Sequence, residues 1–282
     1  MNISQAITRA ASILDKNGVP NPLREARSLL LHVLERETAY VVAHPEYRLT
    51  ENESIDFEAV LRRRASREPF QYITGRQEFY GLEFDVVQGV LIPRPETEIL
   101  VEAAISLLNA VDKPRFCEVG IGSGCIAISI LYKILDAQAV GVDISRAALE
   151  LTARNATKHG VGDRLTLREA DMFAGLGKFN FDLILSNPPY IPESDLESLQ
   201  AEVGGFEPHS ALFGGADGLD IIKLLIANAP RFLKSGGFLL IEIGFGQAAS
   251  VKGLFGSSFW KDIVFLPDLQ GIPRIVRARL AR

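Results

Sequence analysis

From Arg115 onward, short apolar runs of strand length alternate with helical stripes, and this alternation leaves few folds open to the chain. Strands are expected at about 115–119, 138–143, 164–169, 181–186, 237–243, 262–266 and 274–280, and helices at about 124–135, 146–159, 217–233 and 246–254. Strands and helices in alternation build an α/β fold, a parallel sheet covered on both faces. Between the last two strands there is no helix, only about seven residues that include Pro267, Gly271 and Pro273. A closing antiparallel hairpin at the sheet edge fits that spacing. In open sheets of this kind ligands bind beyond the carboxyl ends of the strands, so the residues that follow each strand are the first candidates for a site.

The first of these strands turns through Gly120-Ile121-Gly122-Ser123-Gly124 into a helix. Glycines permit a tight turn and a close ligand approach. The spacing is G-x-G-x-G, which is neither the dinucleotide fingerprint nor a phosphate loop, since no Lys-Ser/Thr pair follows. The second strand ends in Asp143, about twenty residues past the glycines, where an acid can hold a ribose diol. The alternative, less favoured, is that it caps the next helix together with Ser145. After the third strand come Asp171-Met172-Phe173, an acid and an apolar pair that could hold the amino edge and faces of an adenine.

The fourth strand runs into Asn187-Pro188-Pro189-Tyr190. Proline cannot donate to a sheet ladder, so the strand stops here, and each proline pushes the residue before it into extended backbone. The Asn187 side-chain oxygen and the Pro188 carbonyl can each accept one proton of a planar NH2 group, with the Tyr190 ring as a flat wall over it. A plain Pro-rich turn is the alternative. Four strand ends in succession along one edge are far more specific than any one of them.

Upstream, residues 1 to about 66 read as helices. Ile3, Ala6, Ile7, Ala10, Ile13 and Leu14 form a stripe ended by Gly18 and Pro20. Ala26, Leu29, Leu30, Val33 and Leu34 form a second, and Ile55, Val60 and Leu61 share a face of a later helix. The stretch 69–92 fits a β-hairpin linking two domains. Pro95, Glu96 and Glu98 suit a helix start, with Ile99, Leu100, Ala103, Leu107 and Leu108 inward. Residues 191–215 show little periodicity, and a loop of that length is usually a lid or a binding surface.

The 282 residues carry a net charge of −5, which gives no footprint for non-specific nucleic-acid binding. Arg62-Arg63-Arg64 reads as a solvated helix face. Two cysteines, Cys117 and Cys125, cannot staple a chain of this size and point to a reduced, cytoplasmic setting. The four histidines lack metal-ligand spacing, so no metal is expected. Neither a signal peptide nor a membrane span is expected.

The glycine loop, Asp143 and Asn187–Tyr190 resemble class I (Rossmann-like) methyltransferases that act on planar amino groups. Pro69-Phe70-Gln71-Tyr72-Ile73-Thr74-Gly75, Leu91-Ile92-Pro93-Arg94-Pro95-Glu96-Thr97-Glu98 and Ala211–Asp220 are similar to the HemK/PrmC family of release factor glutamine methyltransferases. Glu118 stands where Asp is commoner, and Met172 where some members have Trp. The resemblance implies a helical substrate-recognition domain at 1–75, a hairpin linker at 76–94 and a catalytic domain at 95–282. It implies S-adenosylmethionine as cofactor, with S-adenosylhomocysteine as its product, held by Gly120, Ile121, Gly122, Ser123, Gly124, Asp143, Asp171, Met172 and Asn187. The substrate it implies is the Gly-Gly-Gln glutamine of a class 1 peptide chain release factor, to be gripped by Asn187, Pro188, Pro189 and Tyr190. A monomer that binds neither nucleic acid nor membrane is expected. A DNA or RNA amino-group methyltransferase would use the same corner, and a non-catalytic binding protein could keep the fold as a scaffold.

Overall fold

A computed structural model describes residues 1–177, 179–256 and 259–281. Lys178, Ser257, Ser258 and Arg282, all inside the expected 95–282 domain, lie outside the described residues. The chain divides into two compact units, Met1–Arg76 with Gln200–Phe206, and Gln77–Leu199 with Glu207–Arg282.

The first unit holds α1 (Ile3–Lys16), α2 (Pro22–Leu34), α3 (Thr38–Ala43), α4 (Glu51–Ala65) and α5 (Phe70–Thr74). Reciprocal capping boxes start two of them. Asn2 with Gln5 opens α1, and Thr50 with Glu53 opens α4. Ile3, Ala6, Ala10, Leu14, Leu29, Leu30, Phe57 and Leu61 form the core. Two expectations fail here. The buried stripe of α4 is Phe57, Leu61 and Arg64, while Ile55 is 58% exposed, because Ile55 lies off that i, i+4, i+7 row. Residues 70–74, expected in the hairpin, are helical.

The second unit opens on a two-stranded hairpin, β1 (Arg76–Phe79) and β2 (Leu82–Asp85), then α6 (Glu98–Leu108). Next come β3 (Arg115–Val119), α7 (Cys125–Lys133), β4 (Gln138–Asp143), α8 (Arg146–Lys158), β5 (Leu165–Glu169) and β6 (Phe181–Ser186). The 191–215 stretch is not a bare loop. It contains a 3-10 turn at Glu193–Ser198, α9 (Ala201–Phe206), which belongs to the first unit, and α10 (His209–Leu212). The chain ends with α11 (Asp220–Asn228), β7 (Leu233–Glu242), α12 (Ala248–Leu254), β8 (Trp260–Pro267) and β9 (Pro273–Leu280).

The strand order is β5-β4-β3-β6-β7-β9-β8. The first five strands pair in parallel, and β9 joins β7 and β8 antiparallel. Residues on one face of the sheet, Phe116, Leu183, Leu185 and Leu240, pack with Leu100, Val101 and Ala104 of α6 and with α7. On the other face Cys117, Ile184, Leu239 and Ile241 meet Ile222, Leu225 and Ile226 of α11 and Val251 of α12. The chain reverses direction along this sheet between β3 and its two neighbours, β4 and β6. That reversal opens a crevice at the carboxyl ends of the parallel strands.

Arg64 is not solvated, as the sequence had suggested. Its Nε donates to Glu25 at 2.8 Å and its Nη2 to Glu202 at 3.0 Å, and Arg67 grips the same Glu202 at 2.6 Å. A guanidinium buried this deeply is sustained by being paired on both sides.

Candidate active site

The loop after β3 is pinned from two directions. Gly120 and Ile121 donate their N–H groups to the Val142 carbonyl at 2.8 and 3.0 Å. From α8, Thr152 donates to the Gly122 carbonyl and Asn155 to the Ser123 carbonyl, both at 2.9 Å. Gly122 has a φ of 58° and a Cβ placed there would meet nothing within 4 Å, so glycine is needed for the turn and the space above it stays free.

Asp143 is engaged differently from a helix cap. Its Oδ2 accepts the Gly122 N–H at 2.9 Å and its Oδ1 the Ser145 N–H at 2.8 Å, while Ser145 is the residue that caps α8 through Ala148. Each carboxylate oxygen keeps a further lone pair toward the cavity that Asp143 helps to line. Behind the loop, Glu118 is buried and its Oε2 accepts the Ala127 N–H from the first turn of α7 at 2.8 Å. Burial, with Asp143 nearby, pushes its carboxyl well above the usual carboxylate range. Asp171 and Met172 follow β5 and line the same cavity, but Phe173 does not. Its ring stacks on Phe232, with centroids 4.9 Å apart, inside the core.

The cavity measures about 210 Å³, and Asn187, Pro188 and Pro189 form one wall of it. Asn187 Nδ2 donates to the Thr97 hydroxyl oxygen at 3.1 Å, which leaves Oδ1 as the free end of the amide. Among the described residues no donor reaches Asn187 Oδ1 or the Pro188 carbonyl. Two good acceptors therefore stand side by side on a proline-stiffened corner. Tyr190, expected as a wall over the amide, is not part of the cavity lining. Its hydroxyl donates to Glu242 Oε1 at 3.4 Å and its carbonyl accepts Gln247 Nε2 at 2.9 Å. Burial beside the Glu242 carboxylate pushes the phenol up.

Residues 211–220 form the support of this corner, which the sequence did not disclose. The Ile191 N–H reaches the Leu212 carbonyl at 2.9 Å, and the Gly214 N–H reaches the Ile191 carbonyl at 3.0 Å. A Cβ on Gly214 would run into the Pro189 carbonyl, and one on Gly218 into the Tyr190 carbonyl. Sequence reasoning also missed Thr97 and Glu242. Thr97 sits in Pro95-Glu96-Thr97-Glu98, which a helix start explains in full. Glu242 closes an apolar strand just as Asp143 does, a signal that was open to reading. Glu242 is buried, and desolvation lifts its carboxyl to about 7. The nearby Thr97 hydroxyl, the hydrogen bond from the Tyr190 hydroxyl and the charge of Arg274 work against that rise, and Glu96 adds to it.

An adenosine-bearing group fits these residues: a cradle without side chains at Gly122, a carboxylate at Asp143 for a diol, and the acid and thioether of Asp171 and Met172 beyond. Among the described residues no three His, Cys, Asp or Glu side chains gather as a metal site would need, and no helix is long and apolar enough to cross a membrane.

Such a sheet, with a glycine loop after β3 and an acid at the end of β4, is that of the class I methyltransferases. A methyltransferase from Pyrococcus furiosus shares this fold with a TM-score of 0.53 and 14% identity, over 72% of this chain and 90% of that one. Residues 5–75 match the PrmC N-terminal domain and residues 97–202 the methyltransferase small domain. The release factor glutamine methyltransferase of Geobacter sulfurreducens is 43% identical over 267 residues, covering 95% of this chain and 93% of that one. Its counterpart from Koribacter versatilis is 40% identical over 281 residues, covering 99% of each. The chain belongs to the release factor glutamine methyltransferase family.

Proposed function

We propose that the chain methylates the side-chain amide nitrogen, N5, of the glutamine in the Gly-Gly-Gln motif of a class 1 peptide chain release factor. The observation that carries this reading is the pair of unengaged acceptors, Asn187 Oδ1 and the Pro188 carbonyl, on the wall of the same cavity that holds the glycine loop and Asp143. Family membership supplies the substrate.

S-adenosylmethionine, held by Gly120–Gly124, Asp143, Asp171 and Met172, supplies an electrophilic methyl group. An amide nitrogen is a poor nucleophile because its lone pair is delocalised into the carbonyl. Asn187 and Pro188 accept its two N–H groups and aim the nitrogen. As positive charge builds on that nitrogen its protons grow more acidic, so both hydrogen bonds strengthen in the transition state. The proton leaves to water after transfer, since an N-protonated amide is a strong acid, and no side chain is needed as base. Pro189 stiffens the corner, and Tyr190 anchors it from behind through its hydroxyl and its carbonyl. Holding the two groups in contact supplies much of the remaining acceleration.

The grip accepts any planar NH2, so selection falls to other parts of the chain. We assign it to the helical domain at 1–75 and the 191–215 segment, with 76–94 as linker and 95–282 as the catalytic domain. The enzyme works in the cytoplasm, as a monomer. A labelled-methyl transfer assay offers full-length release factor, a factor with Glu for that glutamine, a short Gly-Gly-Gln peptide, duplex DNA and structured RNA. The full-length factor is labelled far better than the peptide, and the Glu variant, which has no NH2, takes no label. Labelled nucleic acid beside an inert release factor would instead assign the corner to base amino groups.

A further inference from the structure

The order of the strands lays the cavity out from one end to the other. Asp171 and Met172 follow β5, Asp143 ends β4, the glycine loop follows β3 and Asn187 follows β6, and these four strands are successive neighbours in the sheet. Adenine at Asp171 and Met172, with ribose at Asp143, takes up the β5 and β4 end. The amino-acid end of the cofactor is then left to the β3 and β6 side, and it carries the molecule's one carboxylate. Of the described residues that line the cavity, Glu118, Asp143 and Asp171 are acids, and Arg94 is the only cation. Arg94 stands on the β6 side. Its carbonyl accepts the Thr97 N–H at 3.1 Å, and the Thr97 hydroxyl oxygen accepts the Asn187 amide N–H at 3.1 Å.

Arg94 is also held from behind. Glu207, whose side chain is 1% exposed, accepts the Arg94 Nη2 N–H at its Oε1, and its Oε2 meets no donor among the described residues. Arg94 is thus the group that compensates a buried carboxylate. Such a pair gains little stability over apolar side chains of the same size, but it fixes the guanidinium in place. The place is the cavity wall, because Glu207 directly precedes Pro208, and Pro208, Ser210 and Ala211 line the same cavity. One of the guanidinium donors is committed to Glu207, and the others meet no acceptor among the described residues. Two of them in a fork match the two oxygens of a carboxylate.

We propose that Arg94 takes the carboxylate at the amino-acid end of the cofactor, and that Glu207 is the positioning residue that holds Arg94 for it. This rests on the reading of the cavity as the S-adenosylmethionine site, and not on which substrate is methylated.

Calorimetry with two ligands tests it: S-adenosylhomocysteine, and S-adenosyl-3-thiopropylamine, the same molecule with hydrogen in place of the carboxylate. Wild type should bind S-adenosylhomocysteine at least about tenfold more tightly of the two, the worth of one charge-assisted hydrogen bond or more. Arg94→Met keeps the apolar stem and removes the charge. It should weaken S-adenosylhomocysteine about tenfold to a hundredfold and leave the thiopropylamine within threefold of wild type, so that the preference collapses. Should the unpaired Glu207 keep that variant from folding, the double variant Arg94→Met, Glu207→Leu leaves no charge buried and gives the same comparison. Glu207→Leu alone should lose affinity for S-adenosylhomocysteine only, and Glu207→Gln, which keeps an oxygen for Arg94, should lose less. Wild type that binds both ligands alike overturns the inference. So does an Arg94 variant that weakens both equally, which marks a structural ion pair, or one that weakens neither. Glu207→Leu with wild-type affinity for S-adenosylhomocysteine overturns the positioning role. Wild type that binds neither ligand overturns the reading of the cavity as the cofactor site, and this inference with it.

Discussion

Glu242 makes a prediction for stability, and its sign is opposite to the usual one for a carboxylate held in an ion pair. Its carboxyl is lifted from 4.5 to about 7, first by burial, so the folded state binds its proton more tightly than the unfolded chain does. Below about pH 4.5 the group is protonated in both states and costs nothing. Between 4.5 and 7 the unfolded chain releases the proton while the folded one keeps it, so stability falls as pH rises, and above 7 the full penalty is in place. At about 1.4 kcal/mol per pH unit the penalty comes to about 3 kcal/mol. Glutamine at 242 has no proton to lose. The Glu242→Gln variant should therefore gain about 3 kcal/mol on the wild type between pH 4.5 and pH 8, whatever constant offset its altered hydrogen bonds add. Urea unfolding followed by the fluorescence of Trp260 reads this, because it is the only tryptophan and is buried in the sheet unit with its Nε1 on the Ile226 carbonyl. The other displaced acid, Glu118, is present in both proteins and cancels in the difference. Two stability curves that stay parallel from pH 4.5 to 8 would refute the reasoning.

Asn187→Ala should lower kcat by roughly 10²–10³ while S-adenosylhomocysteine binds as before, and a variant near the wild-type rate would remove Asn187 from the mechanism. Asp143→Ala removes the acceptor for the ribose and also for the Gly122 and Ser145 N–H groups, so calorimetry should show cofactor affinity weaker by at least about two decades. An unchanged dissociation constant would leave Asp143 with only its loop. Gly218→Ala places a methyl on the Tyr190 carbonyl at a φ of 71° and should cost about 1–3 kcal/mol in the Trp260-monitored transition. Gly246→Ala, also at positive φ but facing open space, serves as its control and should lose less.

The parallel sheet was legible because its signals are local and redundant. Phe116–Val119, Val140–Val142 and Phe181–Leu185 are apolar runs of strand length, each followed by a turn, and the structure puts strands on all three. Where the reading slipped, a long-range partner decided the outcome. Ile55 looks like a core residue until Phe57, Leu61 and Arg64 claim the buried face of α4. Arg64 looks solvated until Glu25 and Glu202 close on it, and Glu202 stands far along the chain in a stretch with no periodicity of its own. Pro69–Gly75 reads as extended from its aromatic and β-branched content, yet Pro69 and Gly75 bracket a single helical turn.

The site divides along the same line. Gly120–Gly124, Asp143 and Asn187 each follow directly on a strand, so strand prediction alone brings them to one edge. Thr97 carries no such address. It lies 90 residues from Asn187 and on a helix start that needs no further explanation. Residue types therefore announce that an amide sits at the corner, and the Thr97 hydroxyl that takes its NH2 is found only once the fold brings the two together.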